Sequence, residues 1–284
     1  MGALRAGFHA LLLRGLRAPR LAHPVILSDL NLGGFELRLA GANGKTLFAW
    51  FVPSLGAAPA PAVLVMHGWG ANAAMMAVCL TPLQQAGMAT LLVDARCHGR
   101  SDDEDFTSLP RFAEDIASGL DWLREQAQVD RERLAIVGHS VGACAALLCA
   151  SKRLDVAAVV SISAFAHPYD VMRRFLASHH IPYLVLGWYV LRHVQHVIGA
   201  TFDDIAPLRT IASVRCPVLL VHGLDDEMVP FDDARHIQAA GVAGQVALLA
   251  VAARHDPSGA LQEHLPQILD FLHRALRTSC QPSK

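Results

Sequence analysis

Hydrophobic positions along this chain follow two periods. Phe35 to Ala40 (FELRLA) alternates apolar and polar residues, as a half-buried strand does. Leu47 to Val52 (LFAWFV) is a second strand, and Gly41-Ala42-Asn43-Gly44-Lys45 between them is turn chemistry, so the pair forms a hairpin. After a Pro/Ala/Gly loop over Ser54 to Pro61 the pattern changes. Ala62 to Met66 (AVLVM) and Ala89 to Val93 (ATLLV) are continuous apolar runs, which suit parallel strands covered on both faces. Between them Ala73 to Ala86 reads as a helix. Arg111 to Gln126 is amphipathic, with Phe112, Ile116, Leu120 and Leu123 on one stripe. Leu134 to Val137 is a strand that leads into a helix over Ala143 to Cys149. Val156 to Ile162, Pro217 to Val221 and Val246 to Val251 are further buried strands, and Pro257 to Leu276 is a closing helix. Alternating strands and helices predict an α/β fold with a parallel sheet and right-handed crossovers. His167 to Arg215 interrupts the alternation with helical segments, and it holds Tyr169, Tyr183, Trp188 and Tyr189.

Composition narrows the function classes. The 284 residues are 53% hydrophobic and 17% charged, a globular balance with enough chain for one large core. A net charge of −1 gives no case for nucleic acid as a partner. The six cysteines form no C-x-x-C pair and read as reduced, mainly buried thiols of a cytoplasmic protein. No apolar run approaches the ~20 residues that span a bilayer. Met1 to His23 carries Arg5, Arg14, Arg17 and Arg20 without an acid, beside Leu11, Leu12, Leu13 and Leu16. It reads either as a basic amphipathic helix in weak contact with an anionic membrane surface or as a docked or frayed N-terminal helix, and the second is favoured. The division is therefore a helical, basic segment over 1–34 and one body over 35–284, with an insertion at about 167–215. Met1 to His23 supplies no catalytic candidate, so a chain starting near Pro24 is expected to keep its chemistry.

The chemistry centres on Gly138-His139-Ser140-Val141-Gly142, which lies between the strand at Leu134 and the helix at Ala143. Strand, G-x-S-x-G and helix in this order form a nucleophile elbow, whose turn is too tight for side chains two residues either side of the serine. A serine hydroxyl needs a base and an acid that orients the base. On such sheets these groups lie at the carboxyl ends of strands. Asp225 and Asp226 follow the strand Pro217 to Val221, and His255 follows Val246 to Val251. The order Ser140, Asp226, His255 is that of one triad fold only. The oxyanion formed on serine attack calls for two backbone amides. Val141 supplies the first, and His67-Gly68-Trp69-Gly70 offers the second at Trp69 through its N–H.

These residues resemble the α/β-hydrolase superfamily, from about Phe35 to the C-terminus. The likeness rests on HGWG at His67, DARCHGRSD at Asp94, GHSVG at Gly138 and HGLDDEMVP at His222. It is greatest toward bacterial serine hydrolases of the esterase and serine-aminopeptidase-like groups, whose H-G-x-x-D-x-x-V-P loop selects Asp226. The resemblance implies a mostly parallel eight-stranded sheet flanked by helices with a small helical cap. It also implies hydrolysis of a small acyl ester or thioester through an acyl-enzyme, without metal or organic cofactor, and a structural role for the loop from Asp94 to Asp102. Ala252-Ala253-Arg254 stands where the family commonly has a glycine before the histidine. His179, His180, His193 and His196 have neither an acidic partner nor ligand spacing, so they read as polar positions on cap helices and not as a metal site. The apolar cap residues, Trp188 foremost, are expected to line an acyl pocket. Alternatives are a serine-aminopeptidase-like amide hydrolase, for which the cap acids are Asp170, Asp203 and Asp204, and a non-catalytic binding protein on the same fold.

Overall fold

Alternate side chains of each strand pass to opposite faces of one sheet, and that alternation organises the molecule. The computed structural model describes residues 17–178, 180 and 187–278, the side chains of 257–263 excepted. Its strands are β1 (Phe35–Ala40), β2 (Thr46–Val52), β3 (Ala60–Met66), β4 (Ala89–Val93), β5 (Val129–His139), β6 (Ala158–Ile162), β7 (Val218–Gly223) and β8 (Val246–Val251). They form an 8-stranded sheet in the order β1-β2-β4-β3-β5-β6-β7-β8. The pairs β1/β2 and β2/β4 are antiparallel, and every later pair is parallel. The sheet is thus mixed, with the predicted hairpin as its antiparallel edge.

The helices are α1 (Leu80–Gln85), α2 (Leu109–Arg124), α3 (Val141–Ala150), α4 (Pro168–Ser178), α5 (Trp188–Ile198), the short α6 (Phe202–Ile205) and α7 (Pro207–Thr210), α8 (Phe231–Ala240) and α9 (Pro257–Thr278). On one face Leu64, Leu91, Ile136 and Leu220 meet Phe112, Ile116 and Leu120 of α2, the whole of α3, and Ile237 of α8. On the other Val65, Leu92, Val137 and Val221 meet Leu80 and Leu83 of α1 and Ile268 and Leu272 of α9. Each such buried aliphatic side chain stabilises the fold by about 1.5–3 kcal/mol. Every residue of α3 is buried, which explains why that helix is apolar all round.

The order of the strands creates the site. From β3 the chain moves outward to β4, then crosses back past β3 to β5. Loops leaving the carboxyl ends of β3 and β5 diverge to opposite faces, and a crevice opens between them. The insertion from residue 167 to residue 215 holds α4 to α7 and, among the described residues, no strand. Leu176, Val190, Leu191, Val194, Phe202 and Ile205 join it to the core around α2 and α3.

Two expectations change. The helix expected over Ala73 to Ala86 is a 3-10 helix from Ala73 to Cys79 followed by α1. Pro82 explains the break: it cannot donate to the carbonyl of Val78, and its ring would collide with that carbonyl in a continuous α-helix. The segment expected to be helical over 1–34 lies outside the described residues up to 16, and from 17 to 26 it is irregular, with a 3-10 turn at Leu27–Leu30. Pro19 and Pro24 hold the residues before them in extended conformations. Cys79, Cys97, Cys144, Cys149 and Cys216 are free and buried, while Cys280 lies outside the described residues.

At the β5–α3 turn a Cβ on Gly138 would stand 2.4 Å from the Gly142 carbonyl oxygen, with backbone on both sides. Gly138→Ala is therefore expected to cost about 3 kcal/mol or more, or to prevent folding. Gly244→Ala, where a Cβ meets nothing within 4 Å and only the φ of +79° opposes it, should cost about 1–2 kcal/mol. Urea denaturation of both variants checks the ranking.

Candidate active site

Ser140 joins β5 to α3 with φ 54° and ψ −119°, a conformation that L-residues seldom hold. Two contacts fix it. Its amide donates to the Ile162 carbonyl of β6 at 2.8 Å, and its carbonyl accepts from Cys144 at 3.1 Å. Gly142 lies so close beneath that a Cβ there would be 2.3 Å from the His67 carbonyl oxygen. The serine side chain is thereby pushed out at the carboxyl end of the sheet, above the first turn of α3.

The structure brings Ser140, His255 and Asp226 together from three strand ends. His255 Nε2 lies 3.1 Å from Ser140 Oγ, and His255 Nδ1 lies 2.8 Å from Asp226 Oδ2. Asp226 is buried, whereas Asp225, the other acid considered, is exposed. The second oxygen of Asp226 accepts from the amides of Met228 at 2.9 Å and Val229 at 2.8 Å. Burial acts to raise the Asp226 pKa, but the bond from His255 and these amides hold it below the usual carboxylate value. The loops bearing the pair are tied to each other, since Leu224 donates to Val251 and Asp225 donates through its amide to Ala253.

Val141 follows the serine directly, and Trp69 follows Gly68. Val141 opens α3, where no earlier turn supplies an acceptor for its N–H. Gly68 sits against Ser140, with the site of its absent Cβ 3.2 Å from Ser140 Cβ and 3.0 Å from His139 Nδ1. Among the described residues neither the Trp69 nor the Val141 amide has an internal acceptor. The indole of Trp69 is half exposed and stands edge-on to His98.

Three histidines next to the site are fixed spacers. His67 donates through Nδ1 to Gly68 O at 2.7 Å and accepts at Nε2 from Ala95. His98 donates to Arg96 O and accepts from Gly70 N at 3.1 Å. A ring nitrogen that accepts from an amide carries no proton, so both rings are neutral. Burial, reinforced by His67, pushes the His98 pKa down to about 3. His139 donates through Nε2 to the His255 carbonyl at 2.8 Å, and its pKa is pushed down to about 4 by burial and then by His255. Sequence reading gave the loop holding His98 a structural role through the resemblance and assigned none to His139. The signal was their place in the GHSVG and DARCHGRSD segments.

Trp188 starts α5 and is 55% exposed, with Arg192 over its ring. Among the described residues it makes no ring contact or hydrogen bond with the site. An open cavity of about 710 Å³ beside α5 is lined by Tyr189, Arg192, His193 and Asp204 among others, and by neither Trp188 nor Ser140. Tyr183, Leu184, Leu186 and His179 lie outside the described residues. Among the described residues no cluster of acids, histidines and cysteines fits a metal, and no helix is long and apolar enough to cross a membrane.

This sheet order, with an elbow after β5 and an acid and a histidine after β7 and β8, defines an α/β hydrolase. Residues 57–199 match the family described as serine aminopeptidase, S33, and the chain belongs to it. An uncharacterised protein of Mycobacterium tuberculosis is 30% identical over 213 residues, which is 75% of this chain and 69% of the relative. The Arabidopsis thaliana alpha/beta hydrolase domain-containing protein WAV2 is 25% identical, over 74% of this chain and 67% of its own. Among solved structures, the Pyrococcus furiosus esterase Pf2001 superposes with a TM-score of 0.73 at 19% identity, covering 90% of this chain and 98% of that one. A puromycin-hydrolyzing peptidase of Mycobacterium tuberculosis gives 0.68 at 20% identity, over 86% of this chain and 39% of its own. These two likenesses show the fold.

The neutral His139 makes stability pH-dependent with a definite sign. The unfolded chain takes up a proton at this position near pH 6.5, the native state only near 4. Between these values the unfolded state binds more protons, so stability falls as pH falls through that window, by at most about 3 kcal/mol for this residue. The urea midpoint should drop between pH 7 and 4.5, and His139→Gln should flatten the slope. An unchanged slope in that variant would assign the acid lability elsewhere.

Proposed function

We propose that the protein is a serine hydrolase that cleaves small carboxylic esters or thioesters through an acyl-enzyme. The observation that carries this reading is the continuous hydrogen-bonded path Ser140 Oγ–His255 Nε2 and His255 Nδ1–Asp226. Ser140 Oγ attacks the acyl carbon while its proton passes to His255 Nε2. In this reading the negative charge that develops on the former carbonyl oxygen is met by the N–H groups of Val141, at the positive end of α3, and of Trp69. Collapse of the tetrahedral species breaks the bond to the alcohol or thiol, which leaves with the proton from His255. Water, deprotonated by His255, then attacks the acyl-serine, and the acid departs with Ser140 restored. Asp226 keeps the His255 Nδ1–H tautomer and stabilises the imidazolium formed in each half.

The family's description favours a second reading, amide hydrolysis on an N-terminal aminoacyl substrate. Such a substrate carries an ammonium that needs an acid near the site. Among the cap acids Asp204 is committed to the capping box of α6, and Asp203 faces His167 and Arg209. Asp170, the third, is exposed in the first turn of α4 and is the acid left for such an ammonium.

Ser140→Ala should lower kcat by about 10⁶ and abolish labelling by a fluorophosphonate, because triad members act as a unit. Asp226→Asn should lower kcat by up to about 10⁴ through the wrong imidazole tautomer, while Asp225→Asn stays mild. An unlabelled native serine would point to a non-catalytic binding protein.

Substrate class is read from kcat/KM across p-nitrophenyl esters from acetate to palmitate, set against aminoacyl anilides. Each buried methylene adds roughly 0.8 kcal/mol, so the profile should rise with chain length until the pocket is full and then fall. Efficient cleavage of the anilides with a flat ester profile would favour the peptidase. Trp188→Ala should leave the ester profile altered only if the exposed indole contributes to the pocket in the acylated enzyme.

A further inference from the structure

The segment that enters β1 is not remote from the chemistry. Arg20 donates through Nη1 to the carbonyls of Gly99 at 2.6 Å and Ser101 at 2.9 Å, and through Nη2 to Asp103 at 2.5 Å. His23 lies between Phe48 and Trp50, both ring centroids 5.4 Å away, and reaches Asp94 Oδ2 at 2.8 Å. Its side chain is only 9% exposed and that of Asp94 is fully buried. The carbonyls of Leu21 and Ala22 each accept from the Asn72 side chain at 3.1 Å. Pro19 covers Gly70, where a Cβ would stand 2.9 Å from Pro19 Cγ.

These contacts converge on one loop. Asp94 is the hub beneath it, accepting from Ala73 N at 2.7 Å and from Arg100 N at 2.7 Å. Burial acts to raise the Asp94 pKa, and the His23 bond and the two amides bring it below the usual value, so the group is an anion. Gly70 is held by His98 from below and Pro19 from above, while Asn72 is held by the backbone at Leu21 and Ala22. Trp69 lies between these anchors and Gly68, which touches Ser140. A loop of small residues without such anchors has the freedom to turn its amide to solvent.

We propose that Pro19–His23 is a strap that holds the loop from His67 to Ala73, and with it the Trp69 amide, aimed at the oxyanion site. Arg20 and His23 are thus positioning residues that act through the loop. The inference rests on the hydrolase reading above. It reverses the expectation that a chain starting near Pro24 keeps its chemistry, since that cut removes both residues.

The test uses the full chain. His23→Ala and Arg20→Ala are compared with the native protein for kcat and KM on a soluble p-nitrophenyl ester, with active serines counted by fluorophosphonate titration. A trifluoromethyl ketone, which forms a tetrahedral oxyanion on the serine, gives a second readout. The strap predicts a fall of about 10–100-fold in kcat per titrated site, little change in KM, and a parallel rise in the ketone inhibition constant. His23→Gln, which keeps a donor toward Asp94, should recover part of the loss. If His23→Ala does not fold, Arg20→Ala alone decides, because Arg20 is partly exposed and outside the core. Unchanged kcat per site and ketone affinity, with stability alone reduced, would overturn the strap and leave the hydrolase standing. A native protein that neither labels nor turns over would overturn both.

Discussion

The contact on which the rest depends is the crossing of two glycines under Ser140. Gly138 is the next-to-last residue of β5 and Gly142 the second of α3, and a Cβ on either would stand 2.4 Å or less from a backbone oxygen. No side chain can be inserted there, so strand and helix meet at the sharpest angle the backbone allows. That angle forces Ser140 to φ 54° and its hydroxyl out of the sheet. The strain at Ser140 costs about 1–3 kcal/mol, and the surroundings must over-determine it. They do so through the Ile162 carbonyl on the adjacent strand, the fully buried α3, and the His67 backbone against Gly142.

Around this point histidine serves two physical purposes. His255 has a ring nitrogen on each side committed to the reacting groups and is partly open to solvent. His67 and His98 are buried, neutral and saturated, each with one donated and one accepted bond to backbone. A neutral imidazole is a rigid ring that can donate at one nitrogen and accept at the other. It therefore links two loops that cannot reach each other directly, which neither a serine nor a lysine would do. His139 uses the same rigidity to hold the His255 backbone. The residue type that marks catalysis thus also marks its scaffolding, and burial with saturated bonding separates the two.

This explains how much was legible in the chain. The strands were readable because Val63, Val65, Leu64 and Leu91 are apolar on both faces, and the elbow because its glycines have a steric cause. The place of His255 followed from the rule that such groups stand after parallel strands, and the choice of Asp226 over Asp225 from the resemblance of its loop to the family's H-G-x-x-D-x-x-V-P pattern. The 3-10 segment over Ala73 to Cys79 was hidden because its composition is that of a helix, and only the effect of Pro82 four residues on redirects it. The anchoring of Arg20 and His23 was hidden for a different reason. Their partners, the Asp94 carboxyl and the carbonyls of Gly99 and Ser101, lie about 70–80 residues further along, and contacts of that range leave no local period.

The position of the segment from Pro19 to His23 follows from the strand order. The loops after β5, β7 and β8 lead into α3, α8 and α9, helices that pack on the sheet. The loop after β3 leads instead into the 3-10 helix from Ala73 to Cys79 and the short α1, and β4 beyond them pairs with antiparallel β2. In the proposed oxyanion hole the Trp69 amide needs the same positional accuracy as that of Val141, which a buried helix holds. The proposed strap supplies support for it from outside the sheet. Phe48 and Trp50 of β2 present an aromatic seat at that edge, and His23 occupies it with its other side on Asp94. The antiparallel edge of the sheet thereby becomes part of the architecture of the site, in place of a further βα unit.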